Sequence, residues 1–566
     1  MSGGYPRSVL PARRTLLFEA LALVAILVLA AWLRLAGLDR TSLFGDEAVY
    51  SGQAAALAGD AAAANNFGIF LAHPVLFQLL LGLGFAGGLP IEGGRALTAL
   101  FGVGSVVLAW VIGRFVGGRL LGLAAAALLA VLAYDAYLSR LVLLDGPAAF
   151  AVGCSLYAFL RAENERSGTW LAAAAAVLAL AVLVKETAVL VLPAVAIAAA
   201  VEQRLRLGLR AWLLAAASFV AVVAAFPISL LLGGGIASTL TYLHYQLGRH
   251  AQSAFLTYFH LIDPYVGWPF VVLATIGLGV AFWRGGSRRI IAIWAVVPGA
   301  LLQAWGLREL QLPILVVLQG TLLCAIGIEA ISHGATALLA RRGAVQARRR
   351  EIASVLATGL LGAVCLSLLP ATLQATSLPG GQPVQSGLRE ASLWLHDHAD
   401  PEDGVFVSTA YKSSVVAYYS ERPAYGFIPA RRRDPVYRDP GDVEAFWRAG
   451  SIQWVVLDRD SQGRAIASAD ERAPYARLVR LLDAHPHELA YLVPGETPDR
   501  WLAQVYRLTS VSSGQPTVEA PDVVGRGDGR VVALSYAFCI AMGAGIILLA
   551  RRSASRTLGE EPARPL

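Results

Sequence analysis

A polytopic α-helical membrane protein with a small extracytoplasmic α/β domain is the fold class that this sequence predicts, and three observations predict it. Of its 566 residues, 56% are hydrophobic and only 15% charged, where a soluble globular chain carries about 25% charged residues. Apolar runs near the ~20 residues that a spanning helix needs recur through the first two thirds of the chain and once near its end. One long polar stretch, 373–529, separates them. Length alone allows roughly four domains of ~150 residues, but most of the chain is too apolar for water-soluble domains. Disorder, collagen-like structure and a disulfide scaffold are excluded by the same composition.

The apolar runs begin at 16–36, 72–90, 97–113, 119–138, 147–161, 169–184 and 186–201, and continue at 209–232, 264–283, 289–306, 312–332, 352–371 and 531–550. The first follows Arg7, Arg13 and Arg14, as a signal peptide would, yet it is longer than an ordinary h-region and no small-x-small cleavage site follows. It reads as an uncleaved first helix. Segment 72–90 carries His73, Pro74, Gln78 and several glycines, which suits a helix lying in the outer interface. With that assignment every short arginine-bearing loop falls on the cytoplasmic side: Arg114/Arg119, Arg161/Arg166, Arg204/Arg206/Arg210, Arg284/Arg288/Arg289, 341–350 and the tail from Arg551. About twelve spanning helices are therefore expected, with interfacial helices in the first outer loop and both termini cytoplasmic. The domains are 1–372, a transmembrane domain with its first outer loop at 37–96; 373–529, the extracytoplasmic α/β domain; and 530–566, a last helix and tail.

The net charge of +7 is then an orientation signal. Nucleic-acid binding needs a clustered basic face on a soluble module, which this distribution does not offer. Lys185 and Lys412 are the two lysines, and every other basic residue is arginine. Cys154, Cys324, Cys365 and Cys539 lie in apolar runs without C-x-x-C spacing, so neither disulfide nor zinc chemistry is expected. In 373–529, helices are predicted at 386–398, 441–449 and 470–485, and strands at GVFVST, IQWVVLD, HELAYLV and LAQVYRL. This domain has no phosphate loop, no G-x-G-x-x-G and no metal-ligand spacing. It reads as a structural or acceptor-positioning cap.

Ionisable residues at membrane edges are expensive and mark function. Asp46 and Glu47 stand in LFGDEAVYSGQA, directly after the first helix, and the other outer loops add His73, Asp135, Arg140, Asp145, Lys185, Glu186, Arg249, His250 and Arg308. A carboxylate there suits a general base; the cations suit a phosphate held at the interface. Each has a plainer reading: Arg140 and Asp145 as a headgroup-level pair, Lys185-Glu186 as a tight helix turn, and the histidines of YLHYQLGRH (His244, His250) as packing residues. A proton-coupled transporter wants its charges near the midplane on broken helices. Here they collect at one edge, with Glu19 and Glu329 nearer the other.

The ordered set of an Asp-Glu pair in a long first outer loop, AHPVLFQLLLGLG, EGGRALTALFGV, GRFVGGRLLGLAAAALLA, LSRLVLLDGPAAF and VLVKETAVLVLP resembles the glycosyltransferase C superfamily, of the protein O-mannosyltransferase and aminoarabinose transferase type. The match runs in order over residues 16–202. The resemblance implies a multi-pass enzyme of a bacterial plasma membrane that moves a sugar from a polyprenyl-phosphate donor to a glycan, lipid or protein acceptor on the outer face. It implies Asp46 as the base, assisted by Glu47 and Asp145. His73, Lys185, Arg249 and Arg308 would bind the donor phosphate, and Tyr50, Arg140, Glu186, His244 and His250 would contact substrate. The aminoarabinose transferases carry a lysine where His73 stands, and an arginine just after the acidic pair where this chain has Ala48-Val49-Tyr50; sugar and acceptor therefore stay open. Members differ in their need for a divalent metal, for which Glu47 and Asp145 are the acids at hand. A transporter or flippase of a lipid-linked or soluble substrate is the alternative, and it predicts internal symmetry and midplane polar residues.

Overall fold

The computed structural model describes residues 10–39, 42–70, 73–90, 93–248, 255–305, 308–340, 349–377, 386–428, 437–438, 440–459, 469–495, 501–509 and 523–559. Arg249, His250 and most of the arginine-rich loop 341–350 lie outside the described residues. Helix α1 (Leu10–Leu35) leads into three short helices of the first loop, α2 (Gly45–Ala58), α3 (Ala61–Asn66) and α4 (Leu76–Ala86). Then follow α5 (Gly93–Gly117), α6 (Arg119–Ala130), α7 (Ala133–Leu138), α8 (Asp145–Glu165), α9 (Gly168–Val184) and α10 (Leu192–Val201). The membrane part continues with α11 (Leu209–Val223), α12 (Ala225–Gly233), α13 (Ile236–Gly248), α14 (Trp268–Arg284), α15 (Ser287–Ala304), α16 (Val317–Ala340) and α17 (Arg349–Ser377).

Among the described residues, six helices are long and apolar enough to cross a membrane: Leu16–Leu35, Gly93–Gly117, Leu209–Gly233, Leu312–Leu339, Glu351–Thr376 and Gly529–Arg551. A seventh is added if Thr257–Val266 and Trp268–Arg284, bent by 111° at their junction, count as one. Length and composition therefore give fewer spans than the twelve expected, for identifiable reasons. The run 119–138 breaks at Val131 and Leu132 into α6 and α7. The run 186–201 opens as a 3₁₀ turn and becomes α-helical only around Pro193, where the proline ring suits a helix start. At 17 residues α9 is shorter than a usual span. With 11 residues α4 is about 16 Å long, too short to cross and in keeping with an interfacial segment.

Close packing of α14 on α16 shows how the apolar helices associate. A Cβ at Gly277 would lie 1.8 Å from the Leu323 carbonyl oxygen, and one at Gly327 2.1 Å from that of Leu273. Only glycine permits such backbone contact, which is how helices gain packing energy where lipid removes the hydrophobic drive between them.

The polar stretch builds a five-stranded mixed sheet. Its elements are α18 (Ser386–His398), β1 (Val405–Val407), α19 (Ala410–Ser420), β2 (Ala424–Gly426), α20 (Val443–Arg448), β3 (Trp454–Asp458), α21 (Ala469–Asp483), β4 (His487–Pro494) and β5 (Trp501–Leu508), before the last helix α22 (Gly529–Gly559). Strand order is β2-β1-β3-β5-β4; β2, β1 and β3 run parallel, and β5 pairs antiparallel with both β3 and β4. Alternation along each strand separates two faces. Val405, Val407 and Val456 join the core continuous with the membrane helices, whereas Phe406, Val455 and Leu457 pack with Trp447 and Leu478 on the far side. The four predicted strands and three predicted helices all form. Helix α19 and the three-residue β2 are additions, and α19 matters most, because it packs directly on α2.

Candidate active site

Glu47 and Arg95 organise the first loop. Glu47 is fully buried in the first turn of α2. Its carboxylate accepts the Phe44 backbone N–H at 3.1 Å, which closes the helix start, and the Val142 N–H at 2.9 Å. Arg95, at the start of α5, donates Nε to Oε1 at 2.8 Å and Nη2 to Oε2 at 2.7 Å. The same guanidinium donates to the carbonyls of Leu38 and Ser42. One buried ion pair thus ties together the end of α1, the start of α2, α5 and the segment before α8. Glu47 was expected to assist the chemistry directly; in the structure its two oxygens accept from four donors that hold these elements together.

Asp46, one residue earlier, points elsewhere because successive helical positions are turned by about 100°. It is half-buried and, among the described residues, has no hydrogen-bond or ion-pair partner. Burial pushes its carboxyl up to about 6; Glu309 adds to the rise, Lys185 and His73 oppose it, and Asp145 adds to it again. Lys185, just past the end of α9, donates to both oxygens of Asp145 at 2.7 Å, and both residues are 5% exposed. His73 Nδ1 lies 2.8 Å from Glu186 Oε2. Its ring meets Tyr50 and Tyr242 edge-on, at 6.0 Å to each centroid. Six expected residues, Asp46, Tyr50, His73, Asp145, Lys185 and Glu186, therefore gather in one cluster.

Others do not join it. Arg140 was read as a substrate contact or a partner for Asp145; it is buried and donates to the carbonyls of Leu33 and Ala36 at the end of α1, which have no helical partner of their own. Asp135 pairs with Arg34 at 2.6 Å rather than facing the cluster. Arg308 donates to the Gln303 carbonyl and lies over the Phe255 ring. His244 is exposed on α13 and makes none of the cluster's contacts. Glu309 and Tyr242 were missed, although each adjoins or nearly adjoins a residue that was singled out.

The soluble part reaches this site through α19. Ser414 Oγ donates to the Gly45 carbonyl at 3.2 Å, and the Leu43 N–H donates to the Tyr419 hydroxyl at 3.1 Å. A Cβ at Gly45 would sit 2.5 Å from the Tyr411 ring, so glycine there lets α19 lie against the residue that precedes Asp46. Behind this contact Lys412, the second lysine, forms a buried ion pair with Asp458 at the end of β3. No metal cradle is evident in the donor set. Glu47 and Asp145 are engaged by Arg95 and Lys185, and among the described residues no group of three or more His, Cys, Asp or Glu could hold a metal ion.

The architecture is that of a helical, multi-pass membrane body with an acid presented from its first loop and a mixed sheet seated on that loop. Comparison with known proteins agrees. Residues 72–230 match the family model for dolichyl-phosphate-mannose-protein mannosyltransferase. The apo structure of ArnT from Cupriavidus metallidurans superposes with a TM-score of 0.59 at 14% identity, covering 89% of this chain and 100% of that one. The same protein bound to undecaprenyl phosphate gives 0.54 at 16% identity, covering 88% and 99%. The Archaeoglobus fulgidus oligosaccharyltransferase tethered with an acceptor peptide gives 0.56 at 12% identity, covering 90% and 77%. No curated protein matches the chain. The resemblance read from the ordered motifs is thus borne out by the family model and the fold.

Proposed function

We propose that this protein is a polyprenyl-phosphate-sugar-dependent glycosyltransferase that inverts the anomeric carbon, with Asp46 as the general base. The observation that carries the reading is Asp46 itself, a half-buried carboxylate raised to about 6, without a partner among the described residues, beside the Lys185–Asp145 pair. Such a group is ionised at neutral pH and basic enough to accept a proton. The match to the mannosyltransferase family model, and a fold shared with a protein whose structure holds undecaprenyl phosphate, support the donor class.

In the reaction, the acceptor hydroxyl oxygen bonds to the anomeric carbon as the carbon–oxygen bond to phosphate breaks. The hydroxyl proton passes to Asp46, and the bonding pair leaves with the polyprenyl phosphate. The leaving group is already a stable anion, so no separate acid is needed. An ammonium has three N–H donors, of which Lys185 commits two to Asp145, leaving one for the phosphate. His73 in its imidazolium form donates Nδ1–H to Glu186 and offers Nε2–H to the same anion. Asp145 orients Lys185, and Tyr50 and Tyr242 wall the sugar's space. This reading assigns no metal, because Glu47 and Asp145, the two acids singled out for one, are engaged by Arg95 and Lys185. The reading sets the site on the extracytoplasmic face of a plasma membrane, with about twelve crossings and both termini cytoplasmic.

The test is transfer by purified protein in lipid from a polyprenyl-phosphate sugar of known anomeric configuration, with the product read by NMR. Inverted product is expected. Retained configuration would refute the single displacement, and vesicle uptake or lipid scrambling without transfer would establish the transporter alternative.

A further inference from the structure

A cavity of about 440 Å³ opens between the first loop and the soluble part, away from the Asp46 cluster. Ala58 of α2, Phe67, Phe85 and Leu89 of the first loop, and Tyr418 and Glu421 from the end of α19 line it. It adjoins the C-terminal half of the helix whose first turn carries Asp46. Nine to twelve helical positions separate Asp46 from this wall, about 14–18 Å along the axis, which is the reach of a short oligosaccharide.

Three features indicate what the cavity accepts. Among the described residues its lining holds no basic side chain, so these residues offer nothing to a phosphate, and the donor's headgroup belongs at Lys185. Phe67 and Tyr418, edge to face at 6.3 Å, give it an aromatic wall of the sort on which apolar sugar faces pack. The two acids among its described lining residues each keep oxygens for sugar hydroxyl donors. Asp60 spends Oδ1 on the Ala63 N–H as the cap of α3, and Glu421 lies 3.8 Å from His396 Nδ1. Glu421 also holds a left-handed backbone, φ 58°, at a helix-ending position where glycine or asparagine is usual. A glutamate there is strained by its Cβ, and what it gains is a carboxylate at the cavity.

We propose that this cavity is a subsite for the distal, uncharged sugars of a glycan acceptor, whose reactive end extends along α2 to Asp46. The assignment of the ligand as acceptor rests on the transferase reading; the binding site itself does not. The experiment uses the full-length protein in nanodiscs, carrying Asp46→Asn to stop turnover. Neutral trisaccharides of mannose, galactose and arabinose are the probes, with binding read by saturation-transfer NMR. At least one should bind. Affinity should fall about tenfold in Glu421→Gln, as loss of a charge-assisted hydrogen bond predicts, and vanish in Ala58→Phe, which fills the cavity without deleting a contact. Undecaprenyl phosphate should bind all of these proteins alike.

The proposal is overturned if no trisaccharide binds, if Ala58→Phe binds as the parent does, or if trilysine binds in a cavity-dependent way instead. Cavity-dependent glycan binding in a chain whose unmutated form transfers no sugar would sink the transferase reading and leave the site standing. Sugar transfer without trisaccharide binding would do the reverse.

Discussion

Replacing Glu47 with glutamine tests the division of labour between the two adjacent acids. The substitution keeps shape and removes charge. Arg95, 2% exposed, would then sit buried with its carboxylate partner replaced by a neutral amide, one end of which would present N–H groups to donors. Breaking a buried, hydrogen-bonded ion pair from one side costs roughly 3–5 kcal/mol. The brace also sets Asp46, and a displacement of about 1 Å at a reacting group costs about 10²-fold in rate. Glu47→Gln should therefore lose both stability, measured by thermal unfolding in nanodiscs, and transfer activity. The double variant Glu47→Gln/Arg95→Met removes the stranded cation and should recover a substantial part of both. If Glu47→Gln proved as stable as the unmutated protein, the brace would be refuted. If the double variant regained stability but no activity, Glu47 would have to act on substrate itself.

Four further outcomes follow from the same geometry. With Asp46 near 6, kcat/KM should level off above about pH 7 and fall about tenfold by pH 5 as the base is protonated; a flat profile across that range would contradict the assignment. Because a carboxyl raised on folding destabilises wherever it is ionised, Asp46→Asn should stabilise the fold above about pH 6 by roughly 1–3 kcal/mol, the gain shrinking through pH 5 and gone by about pH 3. Lys185→Met should strand buried Asp145, costing roughly 3–5 kcal/mol and weakening undecaprenyl phosphate binding; adding Asp145→Leu should restore stability but not binding. Gly45→Ala should drive Tyr411 aside at about 1–3 kcal/mol and lower kcat through Asp46, with Tyr411→Leu as the rescuing second change; full activity in Gly45→Ala alone would show that α19 does not govern the loop.

Much of this protein was legible in its sequence, and the omissions have physical causes. Strands β1, β3, β4 and β5 announced themselves by alternating β-branched and aromatic residues. Helix α19 did not, because AYKSSVVAYYS is built from residues that favour strands, and only its packing between the sheet and α2 makes it helical. Spans were harder to count. Apolarity sets the runs, but breaks such as the one between α6 and α7 depend on what packs around them. At the site, charge at a membrane edge was enough to single out Asp46, His73, Asp145 and Lys185. The pairings were not readable, because they are fixed by how helices register in space. Asp145 took Lys185 from 40 residues away, not nearby Arg140, whose guanidinium was needed at the exposed carbonyls of α1. Tyr242, not His244, faces His73, because residues two apart on a helix do not share a face.

The central claim, that Asp46 removes the acceptor proton, is tested most directly by Asp46→Asn in folded, lipid-embedded protein, with single-turnover transfer and undecaprenyl phosphate affinity measured together. The account predicts transfer reduced by about 10²–10⁴-fold, with lipid-phosphate affinity unchanged or tighter. Transfer at the unmutated rate by a protein that still binds the lipid phosphate would contradict it.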